Sequence, residues 1–178
     1  THERPFYLQG AEGDEEVQVE TMWRSDYVAA GRYEGVRSVT LSLRGGQLAF
    51  TALMPEGSSL ADLEASLTPE VWAQHLSAQE QEMRGVSLPK FTFETAFDLK
   101  PFLTNLGLSV LFGAPDLSGL IAGVSLQVTG VFHKTFIAVD EGGVEAAAAT
   151  AIVADVTSVP EFGEAVHLDH PFLFVIHD

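Results

Sequence analysis

Alternation of apolar and polar residues is clearest from Val39 to Met54. Val39, Leu41 and Leu43 alternate with polar neighbours up to Gly45-Gly46, and Leu48, Phe50, Ala52 and Met54 resume the same period. Period two marks half-buried strands. A Gly-Gly link between two such runs predicts a hairpin closed by a two-residue primed turn. Strand signals extend over residues 17 to 54, and helix signals follow. Ser59 is placed to cap a helix carrying Leu60, Leu63 and Leu67, and Thr68-Pro69 puts a cap and a first-turn proline ahead of Val71, Trp72 and Leu76. These apolar residues are core candidates, not ligands.

The segment "VSLPKFTFETAFDLKPFLTNLGL" predicts a strand with Phe91 and Phe93 on one face, a short helix capped by Asp98, and a stop at Gly107. Val124, Leu126 and Val128 alternate before the dense run Phe136 to Val139. The run Phe172 to Ile176 is dense in the same way. Such runs predict strands covered on both faces. Strands, then helices, then strands give an α+β class, mainly β, with antiparallel sheets and a few short helices. No internal repeat is present.

Composition adds three constraints. A hydrophobic fraction of 46% over 178 residues supports a packed core. Nine Lys+Arg against 25 Asp+Glu give a net charge of -16, a field that repels phosphate backbones and anionic lipid, so neither nucleic acid nor a membrane surface is expected as a partner. The absence of cysteine removes disulfide and thiol chemistry. No apolar run approaches ~18 residues. The opening "THERPFYLQG" lacks a methionine and the closing "HPFLFVIHD" is a strand without a following partner, so both ends are read as cut.

Catalytic signatures are missing: there is no G-x-S-x-G, phosphate loop, G-x-G-x-x-G or H-E-x-x-H. One cluster has ligand chemistry, "HLDH" with His167, Asp169 and His170, joined by His177 and Asp178. Strand alternation puts His167 and Asp169 on one side and His170 on the other, which argues for turn and strand-entry roles and against a metal.

The stretch "DEGGVEAAAAT", Asp140 to Thr150, is almost free of side-chain volume. Alanine favours a short helix. Sorting Gly143 to Thr157 by parity tells a different story: Val144, Ala146, Ala148, Thr150, Ile152, Ala154 and Val156 form an uncharged face, while Glu145 and Asp155 both fall on the other. A strand uses that segregation and a helix does not.

Several segments together resemble one family. "VFHKTFIAVDEGGVEAAAATA" is similar to the fifth strand of the large sheet of serpins, the suicide inhibitors of serine proteases, running into the hinge of their reactive-centre loop. "VHLDHPFLFVI" fits the family's C-terminal signature, and "LPKFTFETAFDLKPFLTNLGL", "APDLSGL" and "ERPF" match pieces between.

The resemblance implies the C-terminal part of a single serpin domain over residues 1–178, with the N-terminal half and the last strand absent. It implies a reactive-centre loop from about 142 to 164, whose hinge is Glu141, Gly142, Gly143, Val144, Glu145, Ala146, Ala147, Ala148 and Ala149, and a scissile bond between Thr157 and Ser158, with Phe162 as reserve. Lys90 is expected to pair with Glu141, and His133 to lie buried under the point where the loop inserts. Asp169, Pro171 and Phe172 take structural places in the signature. Val144 stands where threonine is more usual, and His2 where tryptophan often is.

The function implied is inhibition of a serine protease by loop cleavage and insertion, without catalytic residue, cofactor or metal, by a monomer. The runner-up is a non-inhibitory serpin acting as a binding or chaperone-like protein. No Lys or Arg occurs from Thr135 to Asp178, so the expected partner has a small or apolar specificity pocket, of elastase, subtilisin or chymotrypsin type.

Overall fold

The computed structural model describes residues 1–10, 13–43, 45–121, 126–144 and 162–178. Two compact units are present, one from Thr1–Phe91 with Val139–Asp178, the other Thr92–Ala138.

The first unit is built on a sheet ordered β8-β5-β2-β3-β4-β9, with β1 also paired to β2. The strands are β1 (His2–Gly10), β2 (Gly13–Tyr33), β3 (Val36–Ser42), β4 (Ala49–Pro55), β5 (Gln79–Pro89), β8 (Val166–His167) and β9 (Leu173–His177). The 21-residue β2 is the spine. Its first part pairs with β1, from Gly13 to Thr21; Thr21 to Gly31 pairs with β5, and Ala29 to Tyr33 with β3. These ladders are antiparallel, whereas β8 joins β5 in parallel through Val86↔Val166 and Ser87↔His167.

Strand β4 lies between β3 and β9 and is buried along almost its whole length. Its outer neighbour β9 is half-buried with Ile176 exposed. The expectation that Phe172 to Ile176 is covered on both faces is therefore corrected: among the described residues Ile176 is left uncovered and none of Leu173–His177 is fully buried.

Two helices close over this sheet. In α1 (Leu60–Ser66) the Ser59 hydroxyl accepts from Asp62 N–H and the Asp62 carboxylate accepts from Ser59 N–H, a reciprocal cap. In α2 (Pro69–Ser77) Thr68 caps Val71 N–H and Pro69 opens the first turn, where a missing donor is harmless. Both starts fall where the sequence places them. Leu63 packs with Val36 and Leu53 against Leu60, Leu67, Trp72 and Leu173.

The hairpin turn is elsewhere than expected. Tyr33 pairs with Val36 across Glu34-Gly35, whose φ angles are 47° and 74°, the two-residue primed turn that suits strand twist. Gly45 and Gly46 also have positive φ, but Leu43 N–H donates to Leu48 O and Gly46 N–H to Leu43 O, so that link is a longer loop. The turn at Glu34 was hidden because a non-glycine residue rarely takes positive φ.

The second unit holds β6 (Phe91–Asp98) paired with β7 (Phe132–Val139), apart from their boundary residues Phe91 and Val139. The short helix α3 (Lys100–Leu103) follows, with Asp98 accepting from Lys100 N–H. Gly107 does not end the helical region. It sits at φ 91° inside a π turn, Thr104–Leu108, after which α4 (Ser109–Phe112) resumes. A positive-φ glycine here produces a kink instead of a stop.

Strand β7 begins only at Phe132; residues 126 to 131 form no strand, and Val124 lies outside the described residues. Nor is β7 covered on both faces: Phe132 is 82% and Phe136 65% exposed. The apolar run is real, and among the described residues nothing covers its outer positions.

Gly31 marks the tightest approach of a described glycine to backbone in the first unit. A Cβ there would lie 2.2 Å from the Ala78 carbonyl oxygen. Gly31→Ala is expected to destabilise the full-length protein by about 1–3 kcal/mol through forced backbone displacement. Denaturant unfolding checks this, and an unchanged midpoint would show that the strand gives way freely.

Candidate functional site

Both ends of the stretch 145–161 are anchored on the first unit. At the entry side, β5 ends at Pro89 and Lys90 N–H donates to Glu20 O. The Lys90 ammonium then reaches Glu141 at 2.7 Å. Glu141 opens the single helical turn α5 (Glu141–Val144), next to buried Val139, and also receives the Thr1 hydroxyl. Gly142 N–H donates to the Asp140 carboxylate at 2.9 Å. Donors converge on one carboxylate, Lys90 first and Thr1 second, and hold the Glu141 carboxyl down at about 2.

At the exit side, Glu164 meets arginines that the sequence reading left unassigned. Arg32 grips both carboxylate oxygens at 2.7 and 2.9 Å, and Arg37 adds a contact at 3.2 Å. Glu56 ties the two guanidiniums together, at 3.0 Å from Arg32 and 2.7 Å from Arg37. The backbone is held as well: Gly163 N–H donates to Met83 O, Arg84 to Glu164 O and Arg37 to Ala165 O. Hydrogen bonding from Arg32 is the largest of the effects that lower the Glu164 carboxyl. The available signal was scarcity, since three of only nine basic residues fall at Arg32, Arg37 and Arg84.

Beyond Glu164 the signature residues run along the sheet. Tyr7 N–H donates to Asp169 O at 2.8 Å, and the Phe172 ring meets Phe91 with centroids 6.3 Å apart, beside half-buried Pro171. His167 and His170 both line a cavity of about 890 Å³, although alternation assigned them opposite sides. Strand β8 ends at His167, so alternation stops there. Each ring has its own neighbours: His167 bonds the Ser87 hydroxyl and stacks on Trp23, while His170 bonds Asp169 and stacks on Tyr7. His177 bonds Thr51 on another strand. Among the described residues no group of three or more His, Cys, Asp or Glu is arranged to hold a metal ion.

His133 departs from expectation. It is exposed on β7, with its ring 3.0 Å from the Thr135 hydroxyl, because nothing within its two-stranded sheet covers that position. Hinge residues Glu145, Ala146, Ala147, Ala148 and Ala149 and the pair Thr157-Ser158 lie outside the described residues. Of Gly143 and Val144 the structure gives the backbone turn of α5.

A family model described as "Serpin (serine protease inhibitor)" matches residues 1–178. The chain belongs to the serpin family. Iripin-3 of Ixodes ricinus is 34% identical across 100% of the chain, which covers 46% of that relative; human Serpin B4 is 40% identical over 80% of the chain and 38% of its own length. Among solved structures, the thermophilic serpin Tengpin in its native state matches with a TM-score of 0.71 at 25% identity, covering 98% of this chain and 46% of that one. Mouse protein-Z dependent protease inhibitor matches with a TM-score of 0.77, also at 25% identity, covering 99% and 45%. This serpin chain therefore spans about half the length of the serpins it matches.

The Lys90–Glu141 pair carries a pH consequence. A carboxyl whose folded value is lowered from 4.5 to about 2 contributes stability that is present above 4.5 and lost as pH falls through about 2. In the full-length protein, Lys90→Met is expected to move the Glu141 midpoint back up toward 4.5, read by carboxyl-carbon NMR. A midpoint that stays put would assign the effect to Thr1 and the backbone alone.

Proposed function

We propose that the protein containing this chain inhibits serine proteases as a cleavable substrate whose loop then inserts into the large sheet. The single observation that carries this reading is the pairing of two anchored roots, Lys90–Glu141 and Arg32/Arg37–Glu164, with a connecting stretch whose alternate residues from Val144 to Val156 bear no charge. A connection that only had to stay in solvent would have no use for an uncharged parity, whereas a strand entering a sheet would.

On this reading residues 1–178 are the C-terminal part of one serpin domain, and the rest of the large sheet comes from a segment other than this one. Glu141 to Ala149 act as hinge, and small side chains at Val144, Ala146 and Ala148 let the strand enter without a clash. Insertion adds about a dozen backbone hydrogen bonds at ~1 kcal/mol each, on the order of 10 kcal/mol. That rivals the whole stability of an ordinary domain. The protease supplies the attacking serine and forms the acyl bond. Displacement of its oxyanion donors and water then stops deacylation, because both must be closely placed. The inhibitor contributes no catalytic group.

Cleavage between Thr157 and Ser158 suits an enzyme with a shallow apolar pocket, of elastase or subtilisin type. Phe162, which is exposed, is the reserve site for a chymotrypsin-like enzyme. Trypsin-like enzymes find no cation from Thr135 to Asp178 to pair with their pocket carboxylate.

Incubation of the full-length protein with a protease panel is expected to give an SDS-stable complex with an elastase- or subtilisin-type enzyme and none with trypsin. Mass spectrometry of the released peptide should show Ser158 at its start, and Gly163 would move the site to the reserve. Val144→Arg or Ala146→Arg should shift the outcome from complex to cleaved loop by at least about tenfold, since an unpaired charge must enter the sheet. Cleavage by every protease without complex formation would sink the inhibitor reading.

A further inference from the structure

A chain of polar side chains crosses the first unit's sheet from β5 to β9, unrelated to the loop roots. The Thr40 hydroxyl donates to Gln79 Oε1 at 2.9 Å, Thr40 and Thr51 share a hydrogen bond of 2.8 Å, and Thr51 meets His177 Nε2 at 2.9 Å. His177 Nδ1 lies 3.1 Å from the Asp178 carbonyl oxygen. Thr51 is completely buried, and Gln79 Nε2 is buried with no partner.

Counting protons shows what this arrangement demands. A threonine hydroxyl has one hydrogen to give. When Thr40 gives its hydrogen to Gln79 Oε1, Thr51 must give its own to Thr40, and the Thr51 oxygen then accepts from His177 Nε2–H. A carbonyl oxygen only accepts, so Nδ1 also carries hydrogen, and the imidazole is doubly protonated. The opposite order is equally complete. Turning the Gln79 amide lets its NH2 donate to Thr40, Thr40 to Thr51, and Thr51 to a bare Nε2, which leaves a neutral ring with hydrogen on Nδ1 alone. The turn also puts an oxygen in place of the unpartnered Nε2, and the orientation of a side-chain amide is decided by such networks.

We propose that Gln79, Thr40, Thr51 and His177 form a proton-ordered relay, in which protonation of His177 on β9 reverses every hydrogen bond in the row and turns the Gln79 amide at the other end. The relay links β9 to β5 through β4 and β3, in a row no member of which belongs to the loop roots. Neighbouring charges are Asp178 beside His177 and Glu80 beside Gln79. From α2, Trp72 meets the His177 ring edge-on at 5.4 Å, and His75 lies three residues further on, its proton affinity lowered by burial.

The test is NMR on the full-length protein with 15N-labelled glutamine and histidine, titrated from about pH 8 to about pH 5. The Gln79 side-chain NH2 resonances, assigned with Gln79→Glu, are expected to shift with the same midpoint as the His177 ring nitrogens. Thr51→Ser keeps one hydroxyl hydrogen and should retain the shared midpoint. Thr51→Val removes it and should leave His177 titrating while Gln79 stays still. A Gln79 amide that ignores the His177 titration in the unaltered protein, or one that still follows it in Thr51→Val, overturns the proposal. If Thr51→Val fails to fold, Thr40→Ala serves the same purpose from the middle of the row.

Discussion

Strand β2 must satisfy three partners along one unbroken backbone, and the arrangement of the first unit follows from that demand. Each partner takes a different stretch: β1 the first part, β5 the middle, β3 the end, with Ala29 to Gly31 shared between β5 and β3. At the end of the β5 ladder the Ala78 carbonyl oxygen lies where a Cβ of residue 31 would stand, and Gly31 answers this by having no side chain. Gly85 does the same further along β5, where a Cβ would strike the Trp23 ring. With β2 fixed, β3 and then the buried β4 follow in the strand order and the capped helices have a surface to close over.

The loop roots are held by charge, in a chain where cations are scarce. Against 25 acidic residues there are nine Lys and Arg, and four of them, Lys90, Arg32, Arg37 and Arg84, hold the residues flanking the stretch 145–161. Exposed ion pairs taken singly contribute little. The exit side is different in kind, because two guanidiniums share Glu56 and Glu164, and the bidentate geometry at Arg32 fixes direction as well as distance. Carboxylates are abundant on this molecule. Position is therefore set by where the few cations stand.

Much of this was legible in the sequence, for reasons that differ by element. Helix starts at Ser59 and Thr68-Pro69 were readable because capping is local: the residues that make the bond lie within four positions of one another. The primed turn at Glu34-Gly35 was not, since glutamate gives no local cue for positive φ. Gly107 illustrates the converse, a residue whose backbone freedom was read correctly and whose consequence, kink or stop, depended on what followed. The Lys90–Glu141 pair was reached through family resemblance, as no periodicity joins residues so far apart. Nothing in the pattern pointed to Arg32, Arg37 and Glu164, which come together only once β2, β3 and the segment before β8 are folded. Burial of β7 was read from an apolar run and that of His133 from the family resemblance, and the two-stranded sheet that carries both supplies no covering neighbour among the described residues.

Order along the chain gives the exit side a mechanical character. Glu164 comes before Val166, so tension arriving from residues 145–161 meets the Arg32 and Arg37 contacts ahead of the two-residue ladder of β8. That ladder is short, and once loaded it would peel almost at once. The Gly163 N–H bond to Met83 O and the guanidinium grip both stand ahead of that ladder, so the ladder bears no pull until both have let go.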